Sequence, residues 1–170
     1  IPAPNEHLQG LRKVNREMVA SIQKRHLEKE ATLDTDATLI ETEKKDALFS
    51  YQGYKAYQPF NVWWAEQRMV LHTEFRDGNV PAGYGQLRVF QEALEMLPGG
   101  VTRVYLRSDT AGYQHDLLRY CEKGENKRFG RIEFAIGVDV TKEFKKAVAE
   151  VKEWEWRPVW KEIQGEKTKT

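Results

Sequence analysis

One cysteine, Cys121, stands alone in 170 residues. It cannot close an internal disulfide or build a cysteine-rich zinc site, so nothing calls for an oxidising compartment and a cytoplasmic setting is expected. Long apolar runs are missing too. None approaches the ~20 residues that span a bilayer, and no signal-peptide pattern opens the chain, so no membrane association is expected. Charge of one sign is not in excess: 27 Lys+Arg against 26 Asp+Glu leave a formal charge of +1. That balance excludes a uniformly basic nucleic-acid-coating protein, while leaving room for local basic patches. The four histidines, His7, His26, His72 and His115, show no metal-ligand spacing. There is no internal repeat and no low-complexity segment. The chain opens on Ile1 rather than Met, which points to a piece of something longer.

What is present fits one domain, large enough to bury roughly 70% of its unfolded surface. Residues 1–30 read as a helical arm, with Leu8, Leu11, Val14, Met18 and Ile22 at three- and four-residue spacing among Arg12, Lys13, Arg16, Lys24 and Arg25. Such an arm could touch DNA, link to an upstream domain, or simply present a solvated charged face. From Ala31 the period changes to two: Leu33, Thr35, Ala37 and Leu39 alternate with Asp34, Asp36, Thr38 and Ile40, which predicts a strand. Two aspartates on one face of a buried-looking strand are costly without compensation.

Further along, Tyr57–Trp64 and Arg68–Phe75 flank Ala65-Glu66-Gln67 as a hairpin, and Arg76-Asp-Gly-Asn79 carries turn chemistry. A helix is expected from Gln86 to Leu97, stopped by Pro98-Gly-Gly100. A strand over Val101–Arg107, a helix over Gln114–Lys123 and a strand over Arg131–Val138 follow. Thr141 is placed to cap a helix running to Val151. The Trp-rich stretch Trp154–Ile163 reads as another strand, and Gln164–Thr170 as a frayed polar tail. This order predicts an α/β fold: a mixed five-stranded sheet with helices on both faces, preceded by an N-terminal helix. It matches the ribonuclease H-like arrangement, in which the first strand lies beside the fourth. The core is expected over 31–152, with 153–170 opening a β-rich insertion or forming a tail.

The chemistry rests on Asp36, in the first strand, and Asp109, at the end of a later one. If those strands are parallel neighbours, the two carboxylates converge at one sheet edge, with Tyr105, Arg107 and Asp109 sharing a face. Close carboxylates raise each other's pKa unless a cation lies between them. Hard oxygen ligands suit Mg²⁺ or Mn²⁺, and two such ions roughly 3.5–4 Å apart can serve phosphodiester chemistry. Aspartates at turns and strand ends are also commonly caps. Asp34, on the face of Asp36, is either a ligand-tuning neighbour or a solvated residue. Tyr51, Tyr54 and Tyr57 around Gly53 could stack on an unpaired base or pack a loop over the sheet edge. Lys55, Lys127, Arg128 and Arg131 are candidates for phosphate contact or for a solvated face.

Four short stretches change the balance: Thr32-Leu-Asp-Thr-Asp-Ala-Thr38, Ser50-Tyr-Gln-Gly-Tyr-Lys-Ala-Tyr-Gln-Pro59, Arg76-Asp-Gly-Asn79 and Leu106-Arg-Ser-Asp-Thr-Ala-Gly-Tyr113. In that order they resemble the catalytic domain of DDE-type bacterial insertion-sequence transposases, over roughly Leu33 to Pro158. The resemblance implies a metal-dependent DNA strand transferase. It puts the first two catalytic, metal-holding acids on Asp36 and Asp109, with Mg²⁺ or Mn²⁺ as cofactor and DNA (transposon ends and target) as partner. It also implies a homo-oligomer in the full-length protein. Where the family usually has Asp-Ser-Gly-aromatic, this chain has one residue more, Asp109-Thr-Ala-Gly-Tyr113. The family's third acid lies on a later helix beyond a β-rich insertion, so the chain is expected to end before it and to be inactive as a fragment. Without an insertion, Glu143 or Glu150 becomes the third acid. Two other functions stay open: a nucleic-acid-binding or assembly module that keeps the fold without turnover, and a stand-alone ribonuclease H-like nuclease.

Overall fold

Alternation of apolar and polar residues becomes strand β1 (Glu30–Ala37), which buries Ala31, Leu33 and Thr35 and leaves Glu30 and Asp36 exposed. The computed structural model describes residues 5–158, 160–163 and 166–169. Two compact units divide the chain, Ile1–Val138 and Asp139–Thr170.

In the first unit, α1 (Glu6–Arg25) leads into β1, and the short strands β2 (Ile40–Glu41), β3 (Leu48–Phe49) and β4 (Lys55–Tyr57) follow. The hairpin β5 (Phe60–Trp64) and β6 (Met69–Glu74) comes next, then α2 (Gln86–Met96), β7 (Arg103–Ser108), α3 (His115–Lys123) and β8 (Glu133–Ile136). The large sheet has the order β6-β5-β1-β7-β8. Strand β1 runs antiparallel to β5 and parallel to β7, and β7 runs parallel to β8. The first strand thus lies beside the strand that follows the first crossover helix, and the fold is the ribonuclease H-like α/β arrangement expected, except that within this unit α2 and α3 pack on one face of the sheet rather than on both.

One face of this sheet makes the core. Ala31 and Leu33 of β1, Phe60, Val62 and Trp64 of β5, and Val104 and Leu106 of β7 pack with Val89, Phe90, Ala93 and Leu94 of α2 and Leu117, Tyr120 and Cys121 of α3. Each large side chain removed from water there contributes about 1.5–3 kcal/mol. Burial also pushes the Cys121 thiol up to about 12, so it packs as an apolar group. Helix α2 ends where Leu97 takes extended backbone (φ −66°, ψ 129°) ahead of Pro98, as the residue before proline must. Helix α3 ends at Gly124 with φ 67°, a left-handed position that favours glycine.

Several expectations need correction. The arm's apolar stripe faces solvent: Leu11, Val14 and Met18 are 66%, 58% and 53% exposed, whereas Val19 and Gln23 are buried. Polar contacts set the docking instead, since Asn15 Nδ2 donates to the Leu71 carbonyl on edge strand β6 at 2.8 Å, and Gln67 Nε2 donates to Gln23 Oε1 and the His26 carbonyl. Residues 1–4 of the predicted arm lie outside the described residues. The small sheet β2-β4-β3 is an addition, because strands of two or three residues leave no readable period.

The second unit starts from α4 (Lys142–Glu150), where Thr141 Oγ1 accepts the Phe144 N–H at 3.1 Å as predicted. Trp154 does not open a strand: Glu153–Glu155 is a single 3-10 turn. Strand structure resumes at β9 (Trp160–Ile163), which pairs antiparallel with β10 (Glu166–Lys169). The predicted frayed tail therefore contains a strand; Gln164, Gly165 and Thr170 lie outside the described residues. Among the described residues no helix is long and apolar enough to cross a membrane.

Candidate metal centre at the end of the parallel strands

On the sheet face opposite the core, β1 and β7 form a parallel ladder of polar pairs. Glu30 faces Arg103, Thr32 faces Tyr105, and Asp34 faces Arg107. Arg103 Nη1 donates to Glu30 Oε1 at 2.8 Å. Arg107 grips Asp34 with both arms, Nε to Oδ1 at 2.5 Å and Nη2 to Oδ2 at 2.6 Å, and this bond holds the guanidinium above its usual pKa. The last register pair is Thr35 with Ser108, so Asp36 and Asp109 come one residue beyond it. Neighbouring strands lie about 4.8 Å apart, and the two residues predicted from sequence to converge stand just past the same end of adjacent strands. Where the ladder sets acid against arginine, the two residues just past its end are both acids. Like charges directly opposite one another destabilise a sheet.

Local bonds aim both side chains. Asp36 Oδ2 accepts the Thr38 hydroxyl at 3.0 Å. Asp109 caps the 3-10 turn Thr110–Gly112, its Oδ1 accepting the Ala111 N–H at 3.0 Å. The extra residue noticed in the sequence is absorbed by this turn. Gly112 sits so close to Ser108 that an added Cβ would stand 2.4 Å from the Ser108 Cβ, so the turn needs glycine to fold back on the strand. Among the described residues Asp36 and Asp109 make no ion pair, and each keeps one carboxylate oxygen without a hydrogen bond. Two exposed carboxylates with free oxygens fit a hard divalent cation. Among the described residues no group of three or more His, Cys, Asp or Glu side chains is placed to hold a metal.

Other sequence candidates separate clearly. Asp34 is partly exposed but not open, because Arg107 occupies both its oxygens. Tyr51 is 79% exposed, Tyr54 donates its hydroxyl to Gln52 Oε1, and Tyr57 stacks on Phe75 with ring centres 4.7 Å apart. Lys55 Nζ donates to the Lys45 carbonyl at 2.9 Å, while Lys127 and Arg131 are exposed. Arg128 is a structural residue: its guanidinium donates to the carbonyls of Leu97, Pro98 and Val101, just past α2. His72 is buried and bonded to Glu92 at 3.0 Å. Sequence reasoning missed the network around it, in which Glu92 also meets Arg12 and Arg88, and Glu74 meets Arg88 and the wholly buried Arg76. Arg88 and Glu92, opposite charges four residues apart on α2, were the available signal.

The sequence pattern of the family described as transposase DDE domain group 1 matches residues 2–170. The chain belongs to this transposase DDE family. Among curated proteins none matches it. Similar solved structures include the piggyBac transposase synaptic complex with hairpin DNA, at 10% identity and a TM-score of 0.48, covering 72% of this chain and 26% of that one. The catalytic domain of Mos1 mariner transposase is similar at 15% identity and a TM-score of 0.43, over 89% of this chain and 77% of that one. A Mos1 paired-end complex with Mn matches at 14% identity and a TM-score of 0.40, over 88% and 56% of the two chains. This transposase domain therefore spans about a quarter of the piggyBac chain.

Proposed function

We infer that this domain is the catalytic part of a DNA transposase, in which Asp36 and Asp109 hold Mg²⁺ or Mn²⁺. The observation that carries the reading is that, just past a ladder with two acid–arginine pairs, the next residue on each strand is an acid with no ion pair among the described residues. Bound divalent cations would supply Lewis-acid stabilisation of phosphoryl oxygens and a nucleophile at neutral pH, for phosphodiester hydrolysis and strand transfer. The chain's own part is positioning. Thr38 and the Ala111 N–H each fix one oxygen of a carboxylate and leave the other open to a cation. The rigid sheet end keeps that geometry without reorganisation. DNA, both element ends and target, is the partner, acted on by paired protomers, and a cytoplasmic location suits the buried, unpaired Cys121.

Calorimetric titration with Mn²⁺ tests this. The unaltered chain binds Mn²⁺, and Asp36→Ala and Asp109→Ala each abolish the heat. No binding, or binding that survives both substitutions, overturns the metal centre. A second reading, a nucleic-acid-binding or assembly module without turnover, draws on the absence of a third ligand side chain among the described residues. Under the transposase reading the 170 residues alone bind the cation but do not cut DNA.

A further inference from the structure

Asp34 and Arg107 stand two residues before Asp36 and Asp109 on the same pair of strands, so the metal-holding pair lies about 7 Å further along. The guanidinium is 57% exposed, with room to swing, and that distance is within an arginine's reach. What keeps it in place is the two-armed bond to Asp34. The other carboxylate acting on Arg107 is Glu66, but Glu66 is already engaged: its oxygens accept the Thr32 N–H at 2.8 Å and the Thr32 hydroxyl at 2.5 Å. Glu30 is held by Arg103. Among the described residues three carboxylates are left open along this stretch: Glu133, in register with Tyr105 on β8, and Asp36 and Asp109 themselves. An arginine released there would be drawn most to the two acids at the same strand end, Asp36 and Asp109, and would compete with the cation.

We propose that Asp34 is a positioning residue that holds Arg107 away from Asp36 and Asp109 and so preserves their affinity for a divalent cation. The proposal rests on the metal-centre reading above. A plain structural clamp makes a different statement, since loss of either partner would then loosen the strands and weaken the metal alike. Withholding Arg107 gives opposite signs. Asp34→Asn frees the guanidinium and weakens Mn²⁺ binding about fivefold, the size of one exposed charge pair. Arg107→Gln removes the group that Asp34 withholds and bares the Asp34 charge beside the pair, so Mn²⁺ binds about fivefold tighter at low salt. The double variant returns to within about twofold of the parent.

The experiment is Mn²⁺ calorimetry on the parent and these variants, with melting curves to show that each folds. Repeating it at about 0.5 M salt separates direct pairing from distant charge, because charges beyond ~4 Å are then screened. The Asp34→Asn loss persists if Arg107 moves onto the pair. Shifts of the same sign in the two single variants, or a loss that vanishes in salt, overturn the proposal while Asp36-dependent binding leaves the metal centre standing. A parent chain that binds no Mn²⁺ overturns both. Should Asp34→Asn fail to fold, Arg107→Gln at about 0.5 M salt decides alone: Mn²⁺ binding at least as tight as the parent's supports the proposal, and weaker binding ends it.

Discussion

At the scale of single residues, the site depends on how closely Gly112 approaches Ser108. A methyl group at Gly112 would collide with the Ser108 Cβ and Oγ, both 2.4 Å away, and neither atom is the far end of a flexible chain. Gly112→Ala should therefore cost about 2 kcal/mol and disturb the turn that Asp109 caps. The expected signature is a loss of Mn²⁺ affinity alongside a lowered melting temperature, both largely recovered when Ser108→Gly is added. Retained Mn²⁺ affinity in Gly112→Ala would show that Asp109 does not depend on the turn. The positions of the two aspartates at strand ends were legible in the sequence, Asp36 from alternation within a strand and Asp109 from the resemblance to the family's small-Gly-aromatic turn. Arg107 as the partner of Asp34 was not. Which residue faces which across two strands follows from their register, and that is a property of the folded sheet.

At the scale of elements, edge strand β6 and helix α2 are joined by charge as well as by apolar contact. Burial lowers the His72 pKa, against the pull of Glu92 and with a push from Arg12, while Glu74 pulls upward. Burial alone would raise Glu92, but the hydrogen bond from Arg88 and the nearby positive charges hold it below the usual carboxylate range. Neutral His72 donates to Glu92 in the fold, whereas unfolded His72 takes a proton near its ordinary pKa of about 6.5. Its contribution is complete above that value and is lost as pH falls below it. Glu92 behaves likewise from about 4.5 downward. Melting temperature should thus fall between pH 7 and pH 5, and His72→Gln should flatten that first decline; an unchanged slope would contradict the assignment. Elements with a strong period were readable to within a few residues: β1, the β5–β6 hairpin, α2, α3 and α4. The face that α1 turns inward was not, because its docking is set by Asn15 and Gln23 rather than by its leucines. The small sheet β2-β4-β3 escaped for want of length.

At the scale of the whole molecule, a formal charge of +1 leaves DNA affinity to local groups. Of the basic residues picked out in the sequence, Lys127 and Arg131 are free to meet phosphate, while Arg128 is committed to three backbone carbonyls beyond α2. Substituting Lys127 and Arg131 together by Ala should reduce the slope of log affinity against log salt by about 2 on duplex DNA. Arg128→Ala should leave the slope unchanged and lower stability by about 1–3 kcal/mol through unsatisfied carbonyls. Equal effects of the two changes on the slope would show that the carbonyl staple is not what occupies Arg128.

The single amide of Asn15 laid against the Leu71 carbonyl has a consequence for handling the protein. It occupies a bonding position on the outermost strand that another molecule's backbone could otherwise fill. A version shortened past its first helix would bare that flank, and such preparations would be expected to grow by strand-to-strand addition rather than stay dispersed.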